Sequence, residues 1–327
     1  MRRAPAHAGR LRPWERSVFA MVFALMAAFV VVVTLSAARS GNGPVTVAGH
    51  AARSPAATSG RSGQAAAPAG AGAGSGVQAT GAVPTTVTGS AQLNRQLAAA
   101  LAVVRRADPG GLAVGVIDET SGTEALYRGG TPFRAGGLAA TDLVAALLLQ
   151  HQREGSQLSD AESSEAAAAI EDGSTAPAAA LWHRVKPGLR TANAALRLQH
   201  TRPRRPDSWR ELTTTVTDQL QLLSDLSAAS SPLTSASRDY LLGLMTAAVP
   251  GQRWGVPSAA SAGASSAVQD GCLVISGRWV ADSTGIVDYH GQELMMTVLS
   301  DNSRSKASAQ ALVQAAALAA ARTFAGS

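Results

Sequence analysis

From Ser17 to Ala38 the chain reads SVFAMVFALMAAFVVVVTLSAA, 22 residues without a charge. No other segment constrains the fold as strongly, because a stretch that is apolar on every side has no polar face to turn to water. As a helix it reaches roughly 33 Å, enough to cross the hydrocarbon core of a bilayer with slight tilt. Arg2, Arg3, Arg10, Arg12 and Arg16 precede it, so the positive-inside rule predicts a cytoplasmic basic tail over 1–16 and an extracytoplasmic remainder. A cleaved signal peptide is the competing reading. Its apolar core would be unusually long, and the SAA ending at Ala38 is a poor small-x-small cleavage site. A buried helix of a water-soluble domain fits less well with the arginine-rich terminus. The expected assignment is a single uncleaved anchor over 17–38 in the cell membrane, with the lipid bilayer as its partner.

Charge placement supports that organisation. Residues 1–88 hold eight arginines against Glu15 alone, a balance of +7 within a formal total of +6, which leaves −1 for residues 89–327. A nucleic-acid binder concentrates positive charge on its folded domain. Here the charge sits beside the apolar run, so nucleic acid is excluded as an expected partner. Residues 39–88 are rich in Ala, Gly, Ser, Thr and Pro and hold no acidic residue. Such a stretch cannot bury enough surface to offset its ordering entropy and is expected to be a disordered linker. Its GAGAGSG tract at 70–76 resembles a phosphate-binding loop only superficially, since no strand precedes it and no helix follows.

The folded domain is expected over 89–327. SAQLNRQLAAALAVVRRA (90–107) has apolar residues at helical spacing behind a candidate N-cap, Ser90. LAVGVIDE (112–119) reads as a buried strand and EALYRG (124–129) as its hairpin partner. An apolar helix is predicted over 138–152, further helices over 215–227 and 235–248, and two strands over 278–289 and 292–301 around the His290-Gly291 turn. A closing helix covers about 304–324. Helix, two strands, a helical block, strands and a last helix predict an α+β domain in which the first and last segments share one antiparallel sheet. Aromatic residues make up only 4% of the chain, so the core must be built mainly from leucine and alanine.

The strings FRAGGLAATDLVAALLLQ (133–150), LSDAE (158–162), ALW (180–182), LTTTVTDQLQLLSDL (212–226), SRDYLLGLM (237–245), QRWGVP (252–257) and VLSDNSRS (298–305), taken in this order, resemble the class A β-lactamases and penicillin-binding serine hydrolases. The resemblance covers about 89–327 and implies a β-lactamase-like domain, an antiparallel sheet flanked by helices. The family's chemistry rests on S-x-x-K at a helix start, an S-D-N-type triplet and K-T-G on a strand. Serine needs an adjacent base to become a nucleophile, and backbone amides must stabilise the oxyanion that forms. Aligned through ALLLQ, the serine position is Gly137 and the lysine position Ala140; counted back from ALW, the triplet is Gly173-Ser174-Thr175. Ahead of a strand expected at 272–276, K-T-G becomes Gln269-Asp270-Gly271. No glutamate motif for deacylation stands in 198–212, although Glu211 is nearby. Three damaged motifs imply a pseudoenzyme, a membrane-anchored cell-envelope module that binds a ligand or protein. The alternative is a serine hydrolase whose catalytic residues are displaced.

Displaced nucleophiles would be Ser174, Ser283 or Cys272, which lie on segments that border the cleft in the family. Ser174 has Glu171 and Asp172 nearby but no histidine or lysine adjacent in sequence. Cys272 is the sole cysteine; it permits no intramolecular disulfide and is expected to be a buried, inert strand residue. His7, His50, His151, His183, His200 and His290 form no H-E-x-x-H or similar pair, so no metal site and no cofactor are expected. A residual pocket is expected at Gly136, Gly137, Ser174 and Gly271, enlarged by loss of the serine and lysine side chains, where helix amides could attract a cell-wall peptide or similar anion. Arg202, Arg204 and Arg205 form a local basic loop, for which simple solvation is the default.

Overall fold

The structure is a computed structural model that describes residues 85–108 and 110–325. The anchor at 17–38 and all but the last four residues of the linker at 39–88 lie outside the described residues. The first helix, α1 (Thr85–Ala107), begins a turn ahead of the expected N-cap, so Ser90 stands inside it. The strands β1 (Gly111–Asp118) and β2 (Glu124–Tyr127) form the expected hairpin, with Val114 opposite Tyr127 and Ile117 opposite Glu124. Asp118 makes the turn work: its carboxylate accepts from the backbone N–H of Thr120 at 2.9 Å, the local bonding that favours Asp in turns.

After a two-residue strand β3 (Phe133–Arg134) and a 3-10 turn (Gly136–Leu138) comes α2 (Ala139–Glu154). Every residue of α2 from Ala139 to Leu149 is buried, so this apolar run is the central rod of the helical half rather than an amphipathic surface helix. It ends at Gly155 in the left-handed region, whose N–H reaches back to the last turn, a helix terminus that glycine reaches without steric cost. Around it pack α3 (Asp160–Ile170), α4 (Thr175–Val185) and α5 (Leu189–Ala195). The LSDAE string earns its place through α3, where Ser159 and Glu162 form a reciprocal capping box. A small sheet, unforeseen from the sequence, joins β3 to β5 (Leu212–Thr214) and β5 to β4 (Arg202–Pro203). Two helices follow, α6 (Val216–Ser227) and α7 (Ser235–Thr246), capped by Thr215 and Thr234.

The chain then returns to the main sheet through β6 (Ser266–Ile275), β7 (Arg278–Tyr289) and β8 (Gln292–Ser303), and closes with α8 (Lys306–Arg322). The five strands lie in the order β2-β1-β8-β7-β6, all antiparallel. First and last strands therefore do share a sheet, with Gly111 opposite Asp301 and Val116 opposite Met296. Alternation along the strands feeds two cores. Leu112, Val114 and Val116 with Leu294, Met296 and Val298 meet Leu97 and Leu101 of α1 and Leu312 and Val313 of α8. Ala113, Met295 and Leu299 face the opposite way, toward α2 and α6. β6 starts six residues earlier than the strand expected at 272–276, so Gln269, Asp270 and Gly271 lie within it and not ahead of it.

Candidate functional site

The positions that match the family's motifs converge where the turn before α2, the middle of β6 and the α3–α4 connection meet. Gly137 sits on the 3-10 turn and Gly271 on β6, and their backbones abut. A Cβ built on Gly137 would stand 2.4 Å from Cα of Gly271; one on Gly271 would stand 2.3 Å from Cα and 2.4 Å from N of Gly137. Carbon atoms in contact rest about 3.5–4.0 Å apart, and backbone atoms cannot rotate aside as a side-chain tip can. Only a glycine pair permits this approach. The expectation that losing two side chains enlarges the pocket is therefore corrected: backbone fills the vacated space. What remains between Gly137, Ala140, Ser174 and Gly271 is a cavity of about 70 Å³, well under the roughly 300–1,000 Å³ of small-molecule sites.

Each other expected residue has a definite place. Ala140, at the lysine position, is buried with the core of the helical half and contributes one methyl to the cavity wall. Gly136 is corrected out of the pocket: it is absent from the cavity wall, and its φ of +51° turns the missing Cβ toward Asp282, 2.4 Å from Oδ2. Asp282 is fully buried and pushed well above the ordinary carboxylate range, first by burial, against a bond from the backbone N–H of Ser300 at 2.9 Å. Gly173, Ser174 and Thr175 do line the far wall. Gly173 lies against the side chain of Gln252, whose Nε2 donates to the carbonyl of Asp172 at 3.2 Å and so closes that end. Ser174 is the N-cap residue of α4, yet its side chain makes no capping hydrogen bond.

Gln269 pairs with Thr284, Asp270 with Ser283 and Gly271 with Asp282 across β6 and β7. Strand alternation sends Asp270 to the face opposite its two neighbours. Its carboxylate accepts from the backbone N–H groups of Trp254 and Gly255, the latter at 2.9 Å, and from Ser283 Oγ. Ser283 Oγ in turn accepts from the N–H of Val256 at 2.7 Å. Asp270 is thus an internal carboxylate that fastens the 254–256 loop, part of the QRWGVP string. Burial raises Asp270 to about 6, opposed by bonds from Ser283, Gly255 and Trp254.

The displaced nucleophiles fare differently. Ser283 is buried and committed to Asp270. Cys272 is half-buried, not buried as expected, and lines the cavity; desolvation pushes its thiol up to about 11, against a smaller opposing effect of Lys306, and a thiol is a poor nucleophile in that state. Glu211, the nearest glutamate to the deacylation region, is outside the cavity wall and forms a 2.8 Å ion pair with Arg134, which with Arg205 and Arg204 holds its carboxyl below the usual value. Among the described residues no group of three or more His, Cys, Asp or Glu side chains is placed to hold a metal ion.

Two clusters were not legible in the sequence. Asp142, one turn into α2, is fully buried and raised to about 7 by burial, opposed by Gln219, whose Nε2 donates to its two oxygens at 3.0 and 3.2 Å. The same Nε2 reaches Thr214 Oγ1, which meets Thr201 and through it Asp218. This network ties α2 to α6 beneath the cavity and does not open into it. Separately, Ser156 Oγ lies 2.7 Å from His151 Nδ1, and His151 Nε2 lies 3.3 Å from Glu162. In outline that is nucleophile, base and orienting acid. Ser156, however, stands just past the carboxyl end of α2, where the helix carbonyls oppose an oxyanion instead of stabilising it. The other oxygen of Glu162 is spent on Ser159. The cluster fastens the end of α2 to the start of α3.

No protein-family model and no characterised sequence matches the chain. Solved structures do. PBP-A superposes with a TM-score of 0.61 at 17% identity, covering 71% of this chain and 97% of its own. A β-lactamase from Xanthomonas campestris pv. campestris str. ATCC 33913 gives 0.59 at 19%, with 71% and 98% covered. A class A β-lactamase from Mycobacterium abscessus gives 0.60 at 18%, with 70% and 100% covered. At these identities the likeness speaks for architecture, and residues 85–325 have the fold of the class A β-lactamases and penicillin-binding serine hydrolases.

Proposed function

We propose that this is a membrane-anchored, non-catalytic β-lactamase-like protein of the cell envelope, with its N-terminus cytoplasmic, that recognises a ligand or protein without turning it over. The observation that carries this reading is the contact between Gly137 and Gly271. It puts backbone against backbone where the family would carry its nucleophile, and Gly137 itself has no side chain to act as one. Ala140 supplies no base, and Asp270 is committed to holding a loop. The anchor rests on the uncharged run 17–38 and the arginines before it. A cavity of about 70 Å³ is too small for a cell-wall peptide, so an envelope protein bound on the outer surface is the partner that suits this domain. Incubating the full chain with a reporter β-lactam, while following hydrolysis and intact mass, tests the reading. Neither turnover nor an adduct is expected; a stoichiometric acyl adduct on any cavity residue would overturn it.

One observation favours a second reading, a hydrolase with displaced residues. Ser174, with no cap to make, shares the cavity wall with Lys306, a possible base. If that reading holds, Ser174→Ala abolishes any adduct and Lys306→Met slows its formation.

A further inference from the structure

Residues 89–327 carry a balance of only −1, yet their charges are segregated along the strands. At the end of the main sheet where β1 begins and β8 ends stand Arg105, Arg106, Arg128, Arg278, Arg304 and Lys306, all exposed. Arg105 Nη1 donates to Tyr127 Oη at 2.9 Å and Arg128 lies over the Phe133 ring, but none of the six forms an ion pair among the described residues. The carboxylates at that end, Asp108 and Asp301, accept from the backbone N–H groups of Gly110 at 2.9 Å and Gly111 at 3.1 Å, and Asp108 also from Ser303 Oγ. The opposite end of the sheet carries Asp118, Glu119, Glu124, Asp288 and Glu293, and its turns at 119–123 and 290–291 hold no lysine or arginine. Arg253 reaches that end, its Nη2 donating to the carbonyl of Ser266 at 3.0 Å. Apolar side chains come to the surface at the basic end: Val274, 47% exposed, stands opposite the half-buried Trp279 at the tip of the β6–β7 hairpin, and Val103, 63% exposed, stands in the last turns of α1. Among the described residues no large apolar side chain at the acidic end is exposed to that degree.

We propose that the basic end of the sheet docks on an anionic lipid surface, with Arg278, Arg304 and Lys306 over the headgroups and Val274 and Trp279 at the interface. Tryptophan's amphipathic ring favours that depth, and each cation held near an anionic bilayer strengthens the attachment about fivefold. A second copy offering its acidic end is the other occupant that the charges fit. It would set Val274 and Trp279 against carboxylates and give them no apolar partner, whereas a lipid surface supplies charge and apolar contact together. The inference rests on the anchoring proposed above for what keeps a bilayer within reach. Docking would then decide which end of the domain faces the membrane and leave the acidic end outward for other partners.

The test uses the full chain in nanodiscs, with Cys272→Ser and one new cysteine: Ser276→Cys in the β6–β7 turn or Ser121→Cys in the β1–β2 turn. Each carries a fluorescent donor, and an acceptor sits on the lipid headgroups. The two turns lie at opposite ends of strands that span roughly 25–40 Å, enough to tell the positions apart. In discs of phosphatidylcholine with phosphatidylglycerol, energy transfer is expected to be stronger from 276 than from 121. That preference should be lost in phosphatidylcholine alone, and in about 1 M salt, where charges are screened within roughly 3 Å. Arg278→Glu with Arg304→Glu is expected to lower the ratio of docked to free domain at least about tenfold; Val274→Ser should lower it less and leave its salt dependence intact. The melting temperature of each variant separates loss of docking from loss of fold. Equal transfer from the two positions in anionic discs, a preference that survives salt or grows with the number of chains per disc, or an unchanged ratio in the folded charge-reversed variant would overturn the proposal. A chain that enters no disc at all refutes the anchor instead, and its salt-sensitive sedimentation with phosphatidylglycerol vesicles then decides docking: binding upholds it and no binding overturns it.

Discussion

Replacing Gly137 with alanine is the most direct probe of the closed cleft. The added Cβ would stand 2.4 Å from Cα of Gly271, so turn and strand must separate by roughly 1 Å to reach ordinary carbon contact. Overpacking of this kind typically costs about 1–3 kcal/mol, and a rigid backbone neighbour places it at the upper end. The φ of Gly137 is not in the left-handed region, so the alanine backbone is unstrained, and loss of glycine's chain entropy offsets at most about 1 kcal/mol. A net loss of about 2 kcal/mol lowers the melting temperature of a domain of this size by roughly 4–8 °C. Gly271→Ala should cost a similar amount. Because both substitutions need the same gap, the double variant should be less destabilised than the two singles together. Gly188→Ala is the control, since its Cβ would meet nothing closer than 3.9 Å and should be nearly neutral. Thermal and urea denaturation of the full chain read out all four variants. A neutral or stabilising Gly137→Ala, or strict additivity, would refute the closed-cleft argument.

Ser159→Ala removes one half of the α3 capping box and should cost about 1 kcal/mol in urea denaturation. The raised carboxyls set a pH dependence: the folded state holds protons on Asp270 up to about 6 and Asp142 up to about 7, whereas an unfolded chain releases them near 4, as ordinary aspartates do. Stability should therefore fall as pH rises through that window, each group contributing at most about 1.4 kcal/mol per unit, and Asp142→Asn should flatten the fall between pH 6 and 7. Cys272, half-buried with its thiol near 11, should react with a disulfide reagent at pH 8 roughly 10–30-fold more slowly than an ordinary cysteine, its small thiolate fraction being partly offset by the greater nucleophilicity of a more basic thiolate; a rate like that of the unfolded chain would contradict the raised thiol.

The elements that periodicity or turn chemistry dictates were legible in the sequence. The apolar run of β1 and the rod of α2 both follow from local residues. Ser90 misled because the preceding Thr85-Thr86-Val87-Thr88 are weak helix formers, yet the helix includes them. That Gly137 and Ala140 carry neither a hydroxyl nor an amine is plain from the residues themselves. That Gly137 touches Gly271 is not, since no local pattern reports the distance between a turn and a remote strand. Nor is the role of Asp270, which depends on where β6 begins and hence on which face each residue takes. The Asp142–Gln219 bond joins two helices whose facing sides are fixed only once α2 and α6 pack.

The pairing of β1 with β8, Gly111 opposite Asp301, has a consequence for how the domain comes into being. The helical half draws on contacts made within a continuous stretch of chain, but the main sheet joins its two ends. Until residues 292–303 have been synthesised, β1 has only the four-residue β2 beside it and shows its other edge unpaired. Such an edge is a template for any extended chain nearby, and closing so long a loop makes this the slow step of folding. A nascent chain stalled between α7 and β8 is thus the species most exposed to aggregation and to chaperone capture, and a ribosome pause there would prolong the hazard.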